Sequence, residues 1–118
     1  MQDVKRAPRI KDPVLLRLLK FTYDSCEISG VTSGLHLHHC VLKAQSGDDV
    51  RENIICLSEA LHTDYHHGDP ATRLAVATHI KTQRPDISEY IAWKLGSQDA
   101  LLEWYAKHGI PTAERRTT

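Results

Sequence analysis

Histidine is the residue type in this sequence that most clearly suggests a chemical function, because six of the eight histidines fall between positions 36 and 67. His62 and His66 lie four residues apart, so on a helix they share one face and can bind one metal ion together. A third imidazole from a facing strand gives a three-ligand site that still has room for water and substrate. The spacing therefore indicates metal-dependent chemistry rather than a closed structural site. The six are His36, His38, His39, His62, His66 and His67.

The elements predicted around these histidines can bring them to one site. Residues 34–42 alternate apolar residues with histidine, which is typical of a strand, and 53–57 form a second apolar run. The Ser, Gly and Asp content of 43–52 predicts a long loop, so the two strands are expected to pair as an antiparallel hairpin. A helix over 58–68 follows, with Ser58 as its N-cap.

Further helices are predicted on both sides of this unit. An amphipathic helix that starts at Asp12-Pro13 precedes it, and helices over 70–85 and 87–110 follow it. The last of these is expected to break near Gly96. Its apolar and aromatic positions, both tryptophans among them, are expected to pack on the core.

Length and composition predict one folded domain. The chain has 118 residues, of which 41% are hydrophobic and 25% charged, and this argues against a disordered chain and against a second catalytic domain. Lys plus Arg equals Asp plus Glu at 15 each, so no overall basic field draws the protein to nucleic acid. The three cysteines form no CxxC pair, and no apolar run is long enough for a membrane span or a secretory signal. A cytoplasmic, reduced protein is therefore expected.

The histidine segment resembles the HNH endonuclease family, whose ββα-metal finger occurs in small phage and bacterial nucleases and in homing endonucleases. The resemblance covers residues 23–68, about 40% of the chain. It implies an α+β fold, in which a ββα-metal (HNH) finger has an N-terminal helix and C-terminal helices packed around it. The matching positions are the His38-His39 pair ending the first strand, the GDD turn at 47–49, Asn53 opening the second strand, and His62 and His66 on the helix.

The resemblance implies a role for each of these residues. His39 is the general base, and His38, His62 and His66 hold one divalent cation. Asn53 has an orienting role in catalysis, since it ties its side chain to the loop backbone so that His39 points at the scissile phosphate. The implied reaction is hydrolysis of double-stranded DNA to 5′-phosphate and 3′-hydroxyl ends. An imidazole can accept a proton from water near neutral pH, which agrees with this role.

The sequence also departs from the family pattern. Many relatives hold a structural zinc with two CxxC knuckles, but the corresponding segments here, 26–29 and 58–61, retain only the thiol of Cys26. No second, structural zinc is expected, and Cys26 is predicted to be a buried small apolar residue. Many relatives also carry Asp at the position of His38. Three imidazoles suit Zn²⁺, Ni²⁺, Co²⁺ or Mn²⁺ better than Mg²⁺, and the sequence leaves the identity of the ion open.

Several assignments have alternatives at this point. His67 is an alternative ligand to His66, although His66 fits the helix face of His62 better. His36 either contacts the site or DNA, or is exposed without a role. Lys43 and Arg51, which flank the loop, either contact phosphates or are solvated.

The predicted organisation is a flexible basic arm (1–11), an HNH nuclease core (12–68), a helical C-terminal extension of the same domain (69–110) and a disordered tail (111–118). The arm is a candidate for contacts to duplex DNA. By family analogy, a phage packaging terminase or another targeting protein is a further partner, and a homodimer is one route to double-strand cleavage. The alternative function is a non-catalytic nucleic-acid-binding module that uses the metal finger structurally.

Overall fold

The structure, a computed structural model, describes residues 8–111, which contain five α-helices and two antiparallel strands. The α+β class is therefore confirmed. None of the helices in this part of the chain has the length and apolar character needed to cross a membrane. Most of the predicted arm and tail, residues 1–7 and 112–118, lies outside the described residues. The elements are α1 (Pro13–Thr22), β1 (Leu35–His39), β2 (Ile54–Ser58), α2 (Glu59–His66), α3 (Pro70–Gln83), α4 (Pro85–Leu95) and α5 (Gln98–Lys107).

The two strands form the predicted hairpin. They pair antiparallel, with Leu35 opposite Ser58 and His39 opposite Ile54. All five residues of β2 are buried, which explains why its sequence is a continuous apolar run rather than an alternation of apolar and polar residues. The hairpin thus supplies both a histidine-bearing strand and a buried strand that holds it in place.

β1 ends earlier than its sequence predicts, at His39. The side chain of Asn53 accounts for this, since its Oδ1 accepts a hydrogen bond from the Val41 amide at 2.7 Å and its Nδ2 donates to the Val41 carbonyl at 3.0 Å. Val41 therefore has a side-chain partner in place of a strand partner. The loop that follows contains two short 3₁₀ turns, Lys43–Gln45 and Arg51–Asn53.

The helix starts that the sequence predicts are present. Asp12 Oδ1 accepts a hydrogen bond from the Leu15 amide at 3.0 Å at the start of α1. Ser58 Oγ accepts one from the Leu61 amide at 3.2 Å at the start of α2. Such caps satisfy backbone donors that the first turn of a helix leaves unpaired. Because Ser58 is also the last residue of β2, α2 turns directly off the strand and packs beside β1.

The C-terminal helices pack with the hairpin around one core. The predicted break is confirmed, since Gly96 has a φ of 108° and separates α4 from α5. The expectation that both tryptophans pack on the core is wrong for Trp93, which is 55% exposed. Trp93 and Trp104 are eleven residues apart, which would place them nearly on one face of an unbroken helix. The break at Gly96 removes that common face. Core residues include Val41, Ile55, Leu57, Val76, Ile80, Ile87, Ile91, Leu101 and Tyr105.

Candidate metal centre

β1 and α2 bring three imidazoles together. One ring nitrogen from each of His38, His62 and His66 lies within 4.8 Å of the others. The ring centroids are 5.2 Å apart for His38 with either helix residue and 4.7 Å apart for the helix pair. Within residues 8–111, this is the only group of His, Cys, Asp or Glu side chains with the spacing of a metal site. We call it the histidine cluster.

The chemistry of His38 fits a bound cation. Its side chain is 1% exposed, and neither ring nitrogen has a hydrogen-bond partner among the described residues. A buried polar group without a hydrogen-bond partner lowers the stability of the fold by about 1–3 kcal/mol. A metal ion bound to this imidazole would provide the missing partner. Burial, and then the neighbouring His62 and His66, lower the pKa of His38 to about 3. The ring is therefore neutral at physiological pH and offers the lone pair that a metal ion requires.

His62 is held between two other imidazoles. Its Nε2 lies 3.1 Å from His66 Nε2, and its Nδ1 lies 2.9 Å from His36 Nδ1. Burial, followed by the charges of His66 and His36, lowers the pKa of His62 to about 4. If Nε2 of His62 binds a metal ion, the ring proton is on Nδ1, which then donates to His36. The second nitrogen of a metal-bound histidine is normally hydrogen bonded in this way, which fixes the ring.

The histidine cluster thus could hold a divalent metal ion, with all three predicted ligands contributing. His67 follows the end of α2, is exposed and does not belong to the histidine cluster. His36 is half-buried and contacts the site through His62, so of the three roles open to it the structure favours contact with the site. Cys26 is buried and outside any metal-spaced group in the described residues.

His39 lies beside the histidine cluster but has a different partner. Its Nε2 is 2.8 Å from Asp49 Oδ1, and its side chain is 10% exposed. Burial lowers the pKa of His39, although the hydrogen bond and the charge of Asp49 act in the opposite direction. Its Nδ1 makes no hydrogen bond within the part of the chain that the structure describes. This nitrogen can therefore accept a proton.

Asn53 holds the loop rather than facing the cleft. It is fully buried, and besides the two bonds to Val41 its Nδ2 donates to the Asp48 carbonyl at 3.0 Å. The backbone at the end of β1 and the backbone of the GDD turn are thus joined through one amide. This geometry agrees with an orienting role for Asn53.

An open cleft of about 710 Å³ contains the histidine cluster and His39. Three cations also line it, Arg17 and Lys20 from α1 and Lys43 from the loop. No carboxylate is among the described residues that line it, and Arg51 is not among them either. The cleft therefore has three cationic side chains beside the histidine cluster, although the protein as a whole has zero formal charge.

The sequence-based prediction does not include two contacts of this site, the pairing of Asp49 with His39 and that of His36 with His62. The acidic GDD turn, about ten residues after the histidine pair, is a weak sequence signal for the first contact. The position of His36 two residues before His38, on the same strand face, is a weak signal for the second. Neither signal identifies a partner without the path of the loop and the position of α2.

Comparisons with protein-family models, with curated proteins and with solved structures gave no match for this chain. We describe the class of this protein from its fold and its site. It is an α+β protein in which a hairpin and the following helix gather three histidines at metal-binding spacing, with two further histidines, His36 and His39, lining the same cleft.

Proposed function

We propose that this protein is a metal-dependent DNA endonuclease of the HNH type, in which β1, β2 and α2 form the ββα-metal finger. The position of His39 is the observation that carries the proposal. It lines the same cleft as the histidine cluster but is not a member of it. A purely structural metal site has no use for a further imidazole with its own carboxylate partner, whereas hydrolysis needs a proton acceptor there.

In the proposed reaction His39 is the general base. Its Nδ1 accepts a proton from water, the water oxygen bonds to phosphorus, and the bond from phosphorus to the 3′ oxygen breaks. The 3′ oxygen takes a proton from solvent, so the products carry 5′-phosphate and 3′-hydroxyl ends. His38, His62 and His66 would hold the divalent cation. When bound, the cation stabilises negative charge on the phosphate and on the leaving oxygen.

The donor set favours some ions over others. Three neutral imidazoles suit Zn²⁺, Ni²⁺, Co²⁺ or Mn²⁺ better than Mg²⁺, which prefers oxygen ligands. With three protein ligands, coordination positions remain for water and for a phosphate oxygen. We therefore expect the first group of ions to support cleavage at lower concentrations than Mg²⁺.

The charges around the cleft support a nucleic-acid backbone as the substrate. Arg17, Lys20 and Lys43 are exposed cations at its rim. Lys and Arg contacts to phosphates position a duplex without reading its sequence, and they weaken as salt rises. One such site cuts one strand, so a double-strand break requires a second copy, a second encounter or a partner protein.

Plasmid cleavage tests the proposal. The protein is stripped of metal and then supplied in turn with Zn²⁺, Ni²⁺, Co²⁺, Mn²⁺ and Mg²⁺, beside His39→Ala and His67→Ala. We expect nicking only with metal, and a loss of about a hundredfold or more in rate for His39→Ala, because the proton acceptor is gone. His39→Ala should bind the ion as tightly as the wild type in calorimetry.

His67→Ala is the matched control, since it removes an exposed histidine next to the ligands from outside the histidine cluster. It should cleave and bind metal like the wild type. Cleavage by His39→Ala at the wild-type rate would overturn the assignment of the base. Binding of both metal and DNA without cleavage by any ion would favour the non-catalytic nucleic-acid-binding module.

A further inference from the structure

We propose that Asp49 is a positioning residue that fixes the orientation and the tautomer of His39, leaving Nδ1 of that imidazole free to accept a proton. This inference rests on the proposed function of His39 as general base. It concerns a residue of the loop between the strands that contacts neither the histidine cluster nor the cleft.

The carboxylate of Asp49 is itself held in place from several sides. Asp49 is 4% exposed. Its Oδ1 accepts from His39 Nε2 at 2.8 Å and also from Arg9 Nη2, while its Oδ2 accepts from the Asp12 amide at 2.9 Å. Its own amide donates to the Ile10 carbonyl at 2.8 Å. Residues 9–12 therefore clamp the carboxylate in the position where it meets the imidazole.

The chemistry of these partners decides where the proton of His39 lies. Burial alone would raise the pKa of Asp49, but hydrogen bonds from the Asp12 amide, His39 and Arg9 outweigh it and lower the pKa to about 2. An ionised carboxylate can only accept hydrogen bonds. The 2.8 Å contact with His39 thus places a proton on Nε2, so that in the neutral form of the ring the lone pair is on Nδ1. A base oriented by a third group is the usual arrangement in proton-transfer sites.

The neighbouring aspartate separates this role from a structural one. Asp48 is equally buried, but its Oδ2 pairs with Lys94 Nζ at 3.0 Å and accepts a hydrogen bond from Tyr90 Oη. These contacts attach the loop to α4, and Oδ1 of Asp48 also accepts a hydrogen bond from the Ile10 amide at 2.6 Å. None of these contacts reaches His39. The two adjacent carboxylates of this turn therefore have different partners, so substitutions of Asp48 and Asp49 can be compared as a matched pair.

The test compares Asp49→Asn with Asp48→Asn. Long-range ¹H–¹⁵N correlation spectra of the metal-free protein at neutral pH report the tautomer of each histidine ring, and His39→Ala assigns the signals. We expect wild-type His39 to carry its proton on Nε2. In Asp49→Asn the new amide should keep its oxygen toward the immobile Asp12 backbone and turn its NH₂ to His39, which moves the ring proton to Nδ1.

Kinetics give the second readout. With the wrong tautomer, kcat of Asp49→Asn should fall about a hundredfold, while KM and the metal affinity stay within about twofold of the wild type. Asp48→Asn should melt at a lower temperature, because it weakens the partner of a buried lysine, yet keep the wild-type tautomer of His39 and the wild-type kcat.

Two results would overturn the inference: a wild-type His39 with its proton on Nδ1, or a kcat for Asp49→Asn that falls no further than that of Asp48→Asn. Failure of the wild type to cleave DNA with any ion would instead remove the proposed function. The spectra would still decide whether Asp49 sets the tautomer, so the two failures are distinguishable.

Discussion

His38 and His66 belong to one histidine cluster but have opposite environments. His38 is buried against the ring of Tyr65, with centroids 4.4 Å apart. Tyr65 Oη donates to His108 Nε2 at 2.6 Å, because His108 Nδ1–H is already bonded to the Trp104 carbonyl at 2.7 Å. His66, in contrast, is exposed. The histidine cluster is therefore closed toward the core and open toward solvent, which is the side from which water and substrate can reach a bound ion.

His36 provides a prediction at the level of one residue. His36→Phe keeps a ring of similar size but removes the acceptor for His62 Nδ1–H, so the ligand ring loses its orientation. We expect the affinity for Zn²⁺ to fall about tenfold, since loss of a hydrogen-bond partner of a metal ligand typically lowers metal affinity by about 10- to 100-fold. Isothermal titration calorimetry measures this loss, and the absorption spectrum of the Co²⁺ form should stay that of the wild type.

His79→Phe is the control for this substitution. His79 is also a half-buried histidine, but its Nε2 pairs with Glu27 Oε1 at 3.1 Å, away from the histidine cluster. Its metal affinity should equal that of the wild type. Wild-type affinity in His36→Phe would contradict the orienting role, and an altered Co²⁺ spectrum would identify His36 as a ligand.

At the scale of elements, the loop between the strands is fixed from three directions. Asn53 joins it to β1, α4 holds it through the buried pair of Lys94 and Asp48, and residues 9–12 hold it through Asp49. Gly47 permits the tight path, since a Cβ there would lie 1.7 Å from the Val41 carbonyl oxygen. Although this loop has little regular structure, it is restrained enough to keep Asp49 in contact with the proposed general base, His39.

α1 supplies a prediction at this scale. It is attached to the rest of the protein through Leu19, which is fully buried, and it presents Arg17 and Lys20 to the cleft. The double substitution Arg17→Ala with Lys20→Ala should weaken duplex binding and reduce the slope of log K against log salt by about two, because each phosphate contact contributes about one. Fluorescence anisotropy with a labelled duplex, in the His39→Ala background, measures both quantities.

Lys81→Ala combined with Lys107→Ala is the control. These are exposed lysines of α3 and α5 that do not line the cleft, and the change in net charge is the same. The control should keep the wild-type slope if local contacts matter. Equal losses in the two double variants would mean that only the overall charge attracts DNA and that α1 does not contact the duplex.

At the scale of the whole molecule, the parts that could be predicted are those that depend on local sequence. The spacing of His62 and His66 shows that they share a helix face, and the caps at Asp12 and Ser58 mark where helices begin. The break at Gly96 has the same local origin, since few other residues adopt its φ of 108°. The α+β class and the helix pair of the candidate ligand set follow from such signals, whereas the choice of His38 as the third ligand is what the resemblance implies.

The parts that could not be predicted depend on contacts between distant segments. Asp48 and Lys94 are far apart in sequence, and no periodicity links a turn to the inner face of α4. Asp49 meets His39 because Asn53, residues 9–12 and α4 together hold the loop in place. The candidate ligands on the helix can therefore be recognised from the sequence, whereas the groups that contact the histidines are visible only in the folded chain.

Metal binding should stabilise the whole protein, because the histidine cluster exists only when the hairpin and α2 are assembled. Binding to the folded state alone raises the free energy of unfolding by about 2.7 kcal/mol when the free ion is at one hundred times its Kd. For a domain of this size that is about 10 °C in Tm. Scanning calorimetry with Zn²⁺ and with a chelator should show this difference for the wild type and for His67→Ala. His66→Ala should melt at nearly the same temperature in both conditions, since it lacks one of the three ligands. A Tm that responds to Zn²⁺ equally in His66→Ala would show that the ion binds elsewhere and would remove the histidine cluster as the metal centre.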